Sequence, residues 1–497
     1  MRTIYRILFL TPLVLCLAVG AVYAGGGQQL NDPGQLGPYA VGHTSYLMFN
    51  PNAPGPDYRG RPVFMSVFYP VDAGTIKSST PPAKYLTDPY AVLTYDSGTG
   101  TTYDSGGFPP GTATYSTDWE PLGYSPVYEG PTLSKDGPFP LVMFSNGWGG
   151  ISLSFPSIGT RLASHGYVVA VMEHWGDGQW PWSPADDAFT VMFNRPRDVS
   201  FAITQLLAKS STRGELLFRA IDPARIVASG WSFGGYATYT LAGGDDSVCD
   251  ALSFGTPVPG DPCGPTPPDP RIKAIISLDG TAELLQYHEL ARISLPSLIM
   301  GETVQRSASS FGFPFENARP HAAINRDDSY RVDVNSAYHP SFSNGCDALQ
   351  VLVNVGQFSD ADYAAFDWGC SWAIPPLVAG EVITKYMIAF LDIYIGSPNK
   401  NTTLDWQILA PEYAFSHTPT VQIFDSEGCQ AVLPDPSYFS YSPFQGYIDC
   451  YVAQKDPTGW FASSSASGNS AQALRAPAAM LRAPARVGPF RPMKKPF

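Results

Sequence analysis

Charged side chains make up only 15% of the 497-residue chain, and acids outnumber bases, 43 Asp and Glu against 30 Lys and Arg. A body of that sign repels a phosphate backbone, which excludes nucleic-acid binding as its main task. Long apolar runs are missing after residue 20, so no later segment reads as a membrane span. Cysteine is sparse: there are seven, none in C-x-x-C spacing, which argues against zinc and thiol-redox chemistry. His174, in Glu173-His174-Trp175, has no metal-ligand spacing and reads as a loop histidine. No internal repeat is visible. Neither a metal nor an organic cofactor is called for.

What is present is a large apolar content, 44%, enough for a substantial core. At the start, Arg2 and Arg6 precede an apolar run from Ile7 to Gly20, followed by Val22-Tyr23-Ala24. This pattern is that of an export signal over residues 1–24, with an uncleaved anchor as the alternative. The expected location is therefore secreted or periplasmic. Six cysteines remain after Cys16, an even number that suits an oxidising compartment. Pairing of neighbours would join Cys249 to Cys263, Cys346 to Cys370 and Cys429 to Cys450, one of about fifteen possible connectivities. At the other end, residues 471–497 hold six basic and no acidic side chains. Residues 457–497 are low-complexity Ser, Ala, Pro and Arg and read as a disordered tail, with weak contact to an anionic surface as the alternative.

Between these ends, residues 25–456 form the expected folded body. Gly25 to Arg61 is rich in glycine and proline and reads as a wrapping segment. Strands are expected at Pro62–Pro70, Pro140–Phe144, Tyr167–Met172, Ile226–Ser229, Ile272–Leu278 and Pro296–Met300, with an edge strand at Ser329–Val334. Helices are expected at Phe155–His165, Arg197–Ala208, Phe233–Leu241 and Pro376–Tyr394. This alternation predicts an α/β fold, a mostly parallel sheet covered by helices on both faces. Insertions rich in turn residues fall at 72–136, 243–270 and 343–372, and an aromatic extension at 397–456.

Gly230-Trp231-Ser232-Phe233-Gly234 has the G-x-S-x-G pattern of a nucleophile elbow, preceded by a short apolar strand and followed by a helix. A serine hydroxyl is a weak nucleophile and needs a base in contact and an acid to orient that base. In folds built on this elbow the acid and then the histidine follow the serine in the chain. The histidines after Ser232 are His288, His321, His339 and His417. Only His339 closely follows an expected sheet strand, where open α/β sheets place their sites. Two acids end strands, Asp279 and Glu302; Asp279 is favoured because its short side chain leaves the strand end directly. Backbone N–H groups must meet the oxyanion. Phe233, the residue after the nucleophile, supplies one, and Trp148 in Phe144-Ser145-Asn146-Gly147-Trp148-Gly149-Gly150 supplies the other. Trp148, Trp175 and Trp231 either line an acyl pocket or pack on the sheet end.

The ordered segments PLVMFSNGWGG (140–150), RLASHGYVVAVMEHWGDG (161–178), IDPARIVASGWSFGG (221–235), IKAIISLDG (272–280) and AYHPSF (337–342) resemble the α/β-hydrolase superfamily. The likeness is to the group around platelet-activating-factor acetylhydrolases, and more loosely to dienelactone hydrolases and bacterial polyester hydrolases. It implies an α/β-hydrolase fold, Asp279 rather than Glu302 as the acid, His339 as the base, and Trp148 and Phe233 as amide donors. Asn146 departs from the S-H-G sequence common in that group's oxyanion loop, and the insertions have no counterpart in its pattern. The expectation is a secreted serine hydrolase that cleaves small, lipid or polymeric carboxylic esters. A polyester hydrolase or a peptidase using the same triad is the alternative within enzymes; a non-catalytic ligand-binding relative is the alternative outside them.

Overall fold

A computed structural model of the protein describes residues 32–55, 59–85, 113–114, 122, 124–150, 154–177, 186, 188–250, 262–282, 284–302, 317–334, 337–354, 374–398, 400–410 and 421–424. The expected signal (1–24), the tail (457–497), His417, Cys370, Cys429 and Cys450 lie outside these residues, as do parts of each insertion and most of the extension.

Among the described residues, ten strands form one sheet. Its centre is parallel: β6 (Phe139–Ser145), β7 (Val168–His174), β8 (Ile221–Trp231), β9 (Ile272–Leu278), β10 (Ser297–Glu302) and β11 (Ser329–Val334). β2 (Arg61–Val71) runs antiparallel beside β7, and β1 (Ala40–Asn50) antiparallel beside β2. β5 (Val127–Glu129) and β12 (Val421–Phe424) close the two edges, and β3 (Lys84–Tyr85) with β4 (Ala113–Thr114) makes a separate ladder.

The central strands are apolar on both faces because both faces are covered. Alternate residues divide between two cores. Val142 and Phe144 of β6 and Val169 and Val171 of β7 join one; Leu141, Met143, Val168, Ala170 and Met172 join the other. Helices α1 (Pro156–Ser164) and α7 (Pro376–Tyr394) pack together on the first side. On the second lie α2 (Ala188–Ser211) and α3 (Phe233–Leu241). The remaining helices are short: α4 (Tyr287–Leu290), α5 (Ala318–Ile324), α6 (Gly345–Asn354) and α8 (Thr402–Ile408).

Several expectations need correction. β1 occupies part of the glycine- and proline-rich wrap, because Ala40–Asn50 pairs along its whole length with β2. Ser329–Val334 is not the edge strand, since β12 pairs beyond it. α2 begins at Ala188 rather than Arg197 and carries Pro196 inside it. The 72–136 insertion is not wholly irregular, because β5 adds to the sheet beside β1. Cys249 and Cys263 are disulfide-bonded with Cα atoms 5.2 Å apart, as their spacing suggested. Cys346 is also disulfide-bonded.

Candidate active site

The serine stands where β8 turns into α3, with φ 55° and ψ −124°. A side-chain-bearing residue held there stores on the order of 1–3 kcal/mol of strain. Two glycines make the turn possible. A Cβ on Gly230 would collide with the backbone of Gly234, and a Cβ on Gly234 would strike the carbonyl of Ser145 on β6. The elbow is thus wedged against the neighbouring strand with no room for a side chain. Ser232 N–H donates to Leu278 O at 3.1 Å, and Thr281 N–H donates to Ser232 O at 2.9 Å. These bonds tie the turn after β8 to the turn after β9.

Asp279 sits in that second turn with φ 45°, another left-handed position. Aspartate tolerates this region better than most residues. His339 opens a short 3-10 turn, His339–Phe342, five residues after the end of β11 at Val334. The ring Nε2 lies 2.8 Å from Ser232 Oγ, and Nδ1 is hydrogen-bonded to Asp279 Oδ2. The Asp279 carboxylate is buried while the His339 side chain is 26% exposed, so the imidazole forms the boundary between solvent and the buried acid. Two further contacts orient the group. Asn317 Nδ2 donates to Asp279 Oδ1 at 3.3 Å, and Trp231 Nε1 donates to His339 O at 3.0 Å. The Trp231 ring also stacks on the imidazole, with centroids 4.7 Å apart and planes at 27°. An indole face so placed would favour a cationic imidazole over a neutral one.

With Nδ1–H donating to the carboxylate, Nε2 is the lone-pair nitrogen and accepts the hydrogen bond of the Ser232 hydroxyl. Phe233 is the first residue of α3 and follows the serine directly. The loop after β6 runs beside it. A Cβ on Gly147 would stand 3.1 Å from Ser232 Cβ, and the 41%-exposed Trp148 ring packs edge-on against Phe233 with centroids 5.1 Å apart. The geometry therefore brings Ser232, His339, Asp279, Phe233 and the Trp148 loop to one rim of the sheet. Of the other histidines, exposed His288 lies near Asp246 and buried His321 bonds Ser329. Glu302 ends β10, whereas Asp279 is the acid in contact with His339. Trp175 is buried in the core, so of the three tryptophans only Trp148 and Trp231 border this rim.

Sequence reasoning missed a layer of buried charge beneath the rim. Arg195 and Asp198 project from one side of α2, three residues apart. Arg195 pairs with Asp177; Arg61 Nε donates to Asp198 Oδ1 at 3.0 Å. His174 is not a loop residue but the buried end of β7. Its Nδ1 lies 3.2 Å from Asp198 Oδ2, its Nε2 2.9 Å from Ser145 Oγ, and Arg195 Nη1 donates to Ser145 Oγ at 3.2 Å. Burial, reinforced by the Arg195 charge, pushes the His174 pKa down and keeps the ring neutral. Burial pushes Asp198 up, but Arg61 and His174 outweigh it and leave the acid below its ordinary value. The available signal was Arg195-Pro196-Arg197-Asp198, charges set inside an apolar helix face.

The family model of platelet-activating factor acetylhydrolase, isoform II, matches residues 24–179. That segment runs from β1 past β7 and includes the Trp148 loop, but ends before Ser232. No curated protein matches the chain. Among solved structures, a ferulic acid esterase from Streptomyces cinnamoneus is similar at 20% identity and a TM-score of 0.46, covering 80% of this chain and 100% of that one. Strand order and elbow are those of an α/β-hydrolase fold, and residues 24–179 are similar to the platelet-activating factor acetylhydrolases.

Proposed function

We propose that the protein is an exported serine hydrolase that cleaves carboxylic esters through Ser232, His339 and Asp279. The observation that carries the reading is the unbroken contact from Ser232 Oγ through both nitrogens of His339 to Asp279. Ser232 Oγ attacks the ester carbonyl while His339 Nε2 takes its proton. Asp279 holds the imidazole in the required tautomer and stabilises its charged form. The amides of Phe233 and Trp148 receive the oxyanion. His339 then returns the proton to the departing alcohol, leaving an acyl-serine. A water, deprotonated by the same imidazole, releases the acid and restores the hydroxyl.

Export is supported by the Arg2, Arg6 and Ile7–Gly20 pattern and by the Cys249–Cys263 bond, which forms in oxidising compartments. No helix among the described residues is long and apolar enough to cross a membrane. The test is Ser232→Ala assayed on a short-chain ester beside its matched amide. Loss of activity on the order of 10⁶ in kcat is expected, with the ester much the faster substrate of the wild type. A variant retaining most of its activity rejects the nucleophile; an amide cleaved as fast as the ester makes the protein a peptidase or amidase.

A further inference from the structure

A guanidinium that is wholly buried costs several kcal/mol of desolvation, and an apolar side chain of similar volume would often serve stability as well. Arg195 is such a group. Burial lowers its pKa, and the Asp177 carboxylate opposes that shift. Its other contacts converge on the loop after β6. Nη1 donates to the carbonyl of Asn146 and to Ser145 Oγ, and Nη2 donates to the carbonyl of Gly147 at 2.8 Å. The guanidinium carbon also lies 5.0 Å from the centre of the Phe233 ring. One buried cation therefore backs both segments that carry the amide donors.

Peptide planarity turns this into a statement about direction. In a trans peptide the carbonyl of one residue and the N–H of the next point opposite ways. Arg195 holds the Gly147 carbonyl toward α2, so the Trp148 N–H faces away from α2. Gly147 abuts the nucleophile, and Gly150 N–H closes the turn on the same Gly147 carbonyl at 3.1 Å. Asp177 fixes the guanidinium plane, and the planar fork reaches two successive carbonyls, which a single ammonium does not.

We propose that Arg195 is a positioning residue that aims the Trp148 amide at the developing oxyanion, with Asp177 as its anchor; this rests on the serine-hydrolase reading above. The full chain carrying Arg195→Lys keeps a buried cation beside Asp177 but loses the fork. Its hydrolysis of a short-chain p-nitrophenyl ester is measured per active site, counted by titration with a fluorophosphonate. Binding of a trifluoromethyl ketone, which forms a tetrahedral adduct with the serine, is measured in parallel. The expected result is a fall of about a hundredfold in kcat per titrated site. KM should stay within about twofold, and ketone affinity should weaken in proportion to kcat. A purely structural arginine would lower the number of titratable sites and leave the rate per site alone. A kcat per site within about threefold of wild type, or a loss carried by KM with ketone affinity unchanged, overturns the proposal. If Arg195→Lys does not fold, Asp177→Asn is the second variant, expected to lose about tenfold in kcat per site; no loss there overturns it equally. A wild type that neither hydrolyses esters nor reacts with the phosphonate fails the serine-hydrolase reading instead, and the two failures are thereby distinguished.

Discussion

Asp279 can turn only one carboxylate oxygen to the imidazole, and the other is met by Asn317. Asn317 in turn occupies space that Gly301 leaves open, since a Cβ there would collide with the asparagine amide. A hydrogen bond to a charged group contributes about 1.5–3 kcal/mol. Asn317→Ala is therefore expected to lower kcat/KM for an ester by about tenfold or more, with KM little changed; a loss under about twofold contradicts this role. That Ser232, Asp279 and His339 would meet was legible because an elbow has a spacing and the order serine, acid, histidine can be searched for along the chain. Asn317 and Arg195 were not, because neither role has a sequence spacing. One amide at the end of a loop and one charge on a helix acquire meaning only when β9 and β6 arrive beside them.

At the scale of elements, the sequence showed most clearly the segments with long apolar stretches. β6, β7, β9 and α7 have apolar runs of the right length, and their expected and observed bounds differ by two residues at most. β1 was missed because Gly42, His43, Thr44 and Ser45 interrupt its pattern; its partners are β2 and the short β5, and Thr44 to Phe49 are only half-buried on either face. The start of α2 was missed because its first turns mix aromatic, polar and charged side chains. α8 carries a weakness of another kind. Asp405 is buried there, and neither carboxylate oxygen has a hydrogen-bond partner among the described residues. Burial first, and the charge of Asp392 second, push its pKa up to about 8. A carboxyl raised in the folded state favours folding while protonated, and that contribution is lost as pH rises from about 4 to about 8. Asp405→Asn cannot ionise. It should melt above the wild type at pH 8, with the gain shrinking toward pH 4, in thermal unfolding followed by circular dichroism. A lower melting temperature for the variant at pH 8 would contradict the assignment.

At the scale of the whole molecule, buried histidine adds to the loss of stability in acid. His165 caps α1 and reaches the carbonyl of Gln35 at 2.9 Å, joining the N-terminal segment to the body. Burial pushes its pKa down to about 4, although the Gln35 contact works the other way. The unfolded chain then binds a proton between about pH 6.5 and 4 that the folded chain refuses, so stability is full above 6.5 and falls as pH drops through that window. The loss approaches about 3 kcal/mol from this group, against about 5–15 kcal/mol for the stability of a typical domain. His174 acts in the same direction. Urea unfolding at pH 7, 5.5 and 4 should show this slope in the wild type and a shallower one in His165→Gln; an unchanged slope in the variant would assign the acid sensitivity elsewhere.

The Cys249–Cys263 bond gives the molecule one more property. It closes a ring of sequence between the elbow helix and β9, and its two Cα atoms stand 5.2 Å apart. A closed neck isolates the strands from whatever length the ring has, because lengthening a loop costs only about 0.6 kcal/mol per doubling. The turns that carry Ser232 and Asp279 are meanwhile fastened to each other across β8 and β9 by the Ser232–Leu278 and Thr281–Ser232 bonds. Residues inserted or exchanged inside that ring should therefore leave the distance between the Ser232 and Asp279 side chains as it is.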